Sequence, residues 1–202
     1  VIRNLLALIG LIAILAVGWK FRDRIPGTPW HHEPEVTEVS EAAAQSAEKK
    51  LEEMRRTGEP IRLNSAEFTS YLRYRFHDQL ANQLDAPSVQ FSGDTLTLKG
   101  RVPTDRLPDV RELRAVKDFL PDTSDVRLRG QLRTISNGQA AIKIDDVSFA
   151  KVPIPHDVYV PQLNRLGRHD EPGLAPDEYP FRLPPGVASA RVEGGELVLA
   201  PK

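Results

Sequence analysis

The residues best suited to hold a metal or move a proton are five histidines: His31, His32, His77, His156 and His169. His31-His32-Glu33 and His169-Asp170-Glu171 set ligand types side by side. Neither run has the i,i+4 spacing on a helix, or the second partner close in sequence, that a metal site needs. His31 and His32 follow Trp30, and read more simply as a wet polar anchor beside an interfacial aromatic. His77 follows Phe76 on a helical stretch and fits the rim of a core. Asp145 and Asp146 are neighbours on a strand, so the pleat points them to opposite faces and denies them a shared acid–base role. Arg127, Arg129 and Arg133 recur at alternate positions. They make either one basic sheet face or a solvated face balanced by nearby acids. Glycine-rich phosphate loops and a nucleophile elbow are absent. The chain has no cysteine, which excludes thiol chemistry, disulfides and cysteine-ligated zinc but leaves the redox compartment open. With 27 basic and 28 acidic residues, nothing marks a binder of phosphate backbones. No enzyme, no cofactor, no metal and no nucleic-acid partner is expected.

The elements that would position these groups begin with an apolar run. Val1–Phe21 carries no charge between Leu5 and Trp19, and Arg3 and Lys20 flank it. A helix over this stretch would be about 30 Å long, the thickness of a bilayer's hydrocarbon core. Leu5, Leu8, Ile12 and Leu15 would face lipid, with Trp19 and Trp30 at the headgroup level. A cleaved signal peptide is the rival reading, but Gly18-Trp19-Lys20-Phe21 lacks the small-residue cleavage pattern. Lys20, Arg22 and Arg24 pull the following domain towards the cytoplasm, whereas a short tail before the apolar run is the layout that exports it. Export is favoured. The organisation expected is an anchor over 1–24, a Pro-rich connector and amphipathic helix over 25–58, and an extrinsic domain over 59–202.

The connector's helix, Ser40–Thr57, ends at Gly58 and has a narrow apolar stripe of Ala44, Ala47, Leu51 and Met54. Such a helix is marginal alone. It lies along the domain or along a partner, or else is a solvated spacer. Glu52 and Arg56 are spaced to pair on it. Within the domain, Asn64 and Glu67 have the spacing of a capping box that opens a helix running to about Leu84. Its apolar side carries Phe68, Leu72, Phe76 and Leu80. A second helix is expected from Pro108 to Leu120. Hairpins are expected around Ser92-Gly93-Asp94, Asn137-Gly138 and Gly194-Gly195. The first and last look alike, as either a duplicated unit or two generic hairpins. Val152–Pro185 reads as a long irregular segment. The fold class is α+β: an N-terminal transmembrane helix, then an antiparallel β-sheet domain of five to seven strands with two packing helices.

Two resemblances bear on function. RLNSAEFTSYL, the later KVPIPHDVYVPQLNRLG and the closing LPPGVASARVEGGELVL resemble, in order of elements, membrane-anchored envelope proteins of the LmeA-like lipid-binding group. That resemblance covers about Arg62 to Leu199 and implies an apolar groove between helix and sheet at Phe68, Leu72, Phe76 and Leu80, unless these residues fill an ordinary core. In layout, the chain also looks like single-span extrinsic subunits of bacterial bioenergetic complexes, including photosynthetic reaction-centre–antenna assemblies. The expectation is a single-pass protein of a bacterial inner membrane, its extrinsic domain periplasmic. Its expected partners are membrane lipids and other integral membrane subunits. It would brace a larger complex or, alternatively, bind lipid or another hydrophobic ligand.

Overall fold

A computed structural model describes residues 38–80, 84–103, 122–136, 138–165 and 173–202. The candidate anchor, with Leu5, Leu8, Ile12, Leu15, Trp19 and Trp30, lies outside these residues, as do His31, His32, His169 and the helix expected from Pro108. No helix among the described residues is long and apolar enough to cross a membrane.

The described chain is α+β. Helix α1 (Glu41–Thr57) leads into strand β1 (Ile61–Leu63), helix α2 (Ser65–Arg75) and a short α3 (His77–Leu80). Four strands follow, β2 (Asp85–Ser92), β3 (Thr95–Pro103), β4 (Thr123–Ser136) and β5 (Gln139–Phe149). Then come β6 (Val152–Pro153), helix α4 (His156–Arg165), β7 (Glu178–Arg182), β8 (Val187–Glu193) and β9 (Glu196–Pro201). The strands form two antiparallel sheets rather than the single sheet expected. The larger runs β2-β3-β4-β5-β6, with β7 also paired to β5; the smaller runs β1-β9-β8. Two sheets arise because β9 pairs back to β1 at Arg62 and Val198, far across the sequence.

Local signals explain most elements. Ser40 caps α1 through its side chain on the Ala43 N–H, and Gly58 ends it at φ 73°. Asn64 and Glu67 complete the capping box of α2 in both directions. That helix stops at Arg75 instead of reaching Leu84. Phe76 leaves helical geometry at φ −119° and turns its ring edge-on to Tyr71, with centroids 5.3 Å apart. The segment read as irregular, 152–185, instead holds β6, α4 and β7. Pro161 obscured α4, because a proline six residues into a helix removes one i→i−4 bond.

One core cluster joins both sheets and the helices. It includes Ala47 and Met54 of α1, Leu63 of β1, Leu72 of α2, Leu128 of β4 and Leu199 of β9. Facing pairs such as Leu98–Leu128 and Leu128–Val147 carry it across the larger sheet. A bulge interrupts β5: Arg129 pairs with Asp146, and the next residue, Gly130, pairs with Ile144. Asp145 is therefore the extra residue. Strict alternation fails here: Ile144 and Val147 are both buried, while Asp145 is exposed and Asp146 half-exposed.

Candidate functional site

The first described element is α1, and several polar groups fasten it to α2. The two helices run antiparallel: Ser40 at the start of α1 donates its N–H to Ser70, while Ser46 and Lys50 further along reach Glu67 near the start of α2. Glu67 is only 7 % exposed. Its carboxylate takes bonds from Ser46 Oγ at 2.8 Å, Lys50 Nζ at 2.8 Å and the Asn64 N–H at 3.0 Å. Burial alone would push its pKa up. The Lys50, Asn64 and Ser46 donors together outweigh that and hold the group below the ordinary carboxylate value. Lys50 also donates to the Arg62 carbonyl, tying α1 to β1. At the other end, Arg75 bridges Glu48 and Glu41. Arg75 lowers the pKa of both acids.

Ala44, Ala47 and Met54 are buried, and Leu51 packs half-buried against the core. The stripe considered for a partner is thus covered by the protein's own α2 and β1, so α1 belongs to the folded body. Glu52 and Arg56 do not form the expected pair; Arg56 instead approaches Glu53, at 4.0 Å and well exposed, a contact worth little.

The apolar side of α2 is filled rather than open. Leu72 and Leu80 are buried, and Phe68 and Phe76 pack half-buried against the core. The Phe68 ring meets Phe91 of β2, with centroids 5.7 Å apart. Leu72 and Leu80 do line a cleft with Arg73, His77, Leu84, Asp85, Ala86 and Pro87, but its volume is about 130 Å³. Ligand pockets are roughly 300–1,000 Å³. The four residues therefore act as core, and the implied groove is not formed among the described residues.

A role of α2 that the sequence did not announce is to seal the outer edge of the larger sheet. Ser65 accepts from the Phe91 N–H at 2.9 Å. Thr69 accepts from the Val89 N–H at 2.9 Å and donates to the Val89 carbonyl at 3.0 Å. Arg73 donates to the carbonyls of Pro87 and Ala86. Residues four apart on a helix advance about 6.0 Å, and residues two apart on a strand about 6.6 Å, so the rungs stay in step. The i,i+4 spacing of Ser65, Thr69 and Arg73 was the available signal, but only the tertiary fold supplies the edge it serves. Thr134 of β4 repeats the device, bonding both backbone groups of Ala190 on β8 at 3.1 Å.

The remaining chemically capable residues are structural or solvated. Arg133 forks onto Glu178, which is 4 % exposed and also takes the Ala175 N–H at 2.8 Å. Arg133 holds the Glu178 pKa down against the effect of burial. Arg129 is exposed and lies opposite Asp146. Arg133 is thus balanced by an acid, while Arg127 lies opposite Lys99 and Ser148. His77 is exposed at the cleft rim, and exposed His156 stacks edge-on to Tyr159. Tyr159 donates to the Ile144 carbonyl at 2.9 Å. Burial, with Asp177, Asp145 and Asp146 nearby, pushes its pKa up to about 12. Among the described residues no three His, Asp or Glu side chains are grouped to hold a metal. No family model, curated protein or solved structure matches the chain.

Proposed function

We propose that this protein is a non-enzymatic, single-pass membrane-tethered accessory subunit that braces a larger bacterial membrane complex, its body on the periplasmic side. The observation that supports this reading is the docking of α1. Because Glu41–Thr57 packs into the core, the body begins at Ser40 rather than near Glu59. About 15 residues then separate Arg24 from the body, an extended reach of roughly 50 Å. A rigid body on so short a leash stays beside whatever the apolar segment joins. Tyr74 is the one large hydrophobic side chain exposed among the described residues. The reading therefore assigns apolar partner contacts to Leu5–Trp19 and leaves the body to polar, rim-like contacts.

Lipid handling is the weaker alternative, because the cleft beside Leu72 and Leu80 is too small for an acyl chain. The test is extraction of the full chain in mild detergent, followed by native-gel and native mass analysis. Comigration in a stoichiometric assembly supports bracing. A monomer that carries lipid, released only when the body unfolds, supports the carrier reading and refutes bracing. A lipid-free monomer counts against both.

A further inference from the structure

The body has two distinct ends. α2 runs antiparallel to β2, with Ser65 beside Phe91 and Arg73 beside Pro87. The Ser65 end therefore lies near the β2–β3 turn, where the Gly195 N–H of the β8–β9 turn donates to Gly93 O at 2.9 Å. The opposite end carries Ser40, bonded to Ser70, and Glu41, bridged by Arg75. The described chain begins at this end, at residue 38. Tyr74, 46 % exposed, is on the last turn of α2 at this same end, with exposed His77 and Asp78 just beyond it.

We propose that this end of the body, led by Tyr74, is a docking surface for the headgroup region of a bilayer. The inference rests on the tether reading above. Tyrosine suits that zone because its ring prefers the acyl boundary while its hydroxyl stays with water and headgroups. Among the described residues the patch is not a cationic one. The Arg73 guanidinium bonds to the carbonyls of Ala86 and Pro87, and Arg75 is neutralised by Glu41 and Glu48. Glu38 and Asp78 add exposed negative charge. Contact is therefore driven by the aromatic ring, and occurs on zwitterionic lipid without help from anionic lipid.

The absence of cysteine allows clean single-site labelling of the full chain in phosphatidylcholine nanodiscs that contain a headgroup quencher lipid. Fluorophores are placed at Leu8→Cys, Asp78→Cys and Asp94→Cys, the last on the far turn. Quenching at position 78 well above that at 94, lost when Tyr74→Ser is added, is the expected result. Quenching inside the bilayer at position 8, with positions 78 and 94 equal, overturns the docking surface while the tether stands. Quenching at 78 that survives Tyr74→Ser overturns the assignment to Tyr74. A label at position 8 that proves water-exposed overturns the tether and the docking surface together.

Discussion

Thr69→Val replaces one β-branched side chain by another of nearly equal shape, so packing and helix propensity change little. What disappears is a hydroxyl that satisfies both backbone groups of Val89 at 2.9 and 3.0 Å, at a site where Thr69 is 0 % and Val89 4 % exposed. A buried backbone group left without a partner costs about 1–3 kcal/mol. With two such groups, and some return from burying a methyl, the loss comes to about 2–4 kcal/mol. In a protein of this size each kcal/mol moves Tm by roughly 2–4 °C, so Tm should fall by about 5–15 °C. Thr69→Ser keeps the hydroxyl and removes one methyl, which costs about 1 kcal/mol. Thermal unfolding in detergent gives the ranking. Amide hydrogen exchange gives the location, since Val89 should lose protection beyond the global change in Thr69→Val alone. If Thr69→Val unfolds with the native protein, or Thr69→Ser proves the more damaging, the edge-sealing role of α2 is wrong.

Other tests are independent of that one. Glu41, Glu48, Glu67 and Glu178 all have pKa values below the ordinary 4.5. Their stabilisation is complete above that value and fades as pH drops through the lower folded values. The urea midpoint should therefore hold from pH 7 to about 5 and fall below pH 4.5; an unchanged midpoint at pH 3 would contradict the polar fastening of α1. Ala150 and Lys151 form the β5–β6 turn with φ values of 48° and 65°. Left-handed geometry costs a non-glycine residue about 1–2 kcal/mol, so Lys151→Gly should raise stability by about 0.5–1 kcal/mol after glycine's extra chain entropy. A fall in Tm would show the turn is held in another way. A Cβ at Gly130 would collide with the Lys143 carbonyl at the β4–β5 bulge. Because backbone must move, Gly130→Ala should lose about 3 kcal/mol, and a neutral result by urea titration would place the bulge elsewhere.

What could be read from the residues were the features with local causes. The Asn64–Glu67 capping box, the Gly58 stop and the three hairpins each depend on a few neighbouring residues, and each is in place. Features decided at a distance were not legible. Alternation at Val126, Leu128 and Leu132 marks a strand but says nothing of which sheet it joins. The bulge at Asp145 shifts the phase of β5 only because β4 offers Gly130 opposite Ile144. Proline misled twice. Pro161 hid α4. Pro180 made β7 look like loop, although a proline, which lacks an N–H, can sit in an edge strand. The candidate groove was hard to judge for a related reason: Phe68, Leu72, Phe76 and Leu80 announce an apolar face, but only the packed partner tells core from cavity.

The pairing of β1 with β9 has a consequence for biosynthesis. Ile61 and Leu63 leave the ribosome early, yet the strand that covers them is Glu196–Pro201. Until then the nascent polypeptide carries an unmated strand between two finished helices, a standing invitation to wrong partners. Chaperone engagement on this protein should therefore centre on that short stretch and fall once Glu196–Pro201 has emerged to pair with it.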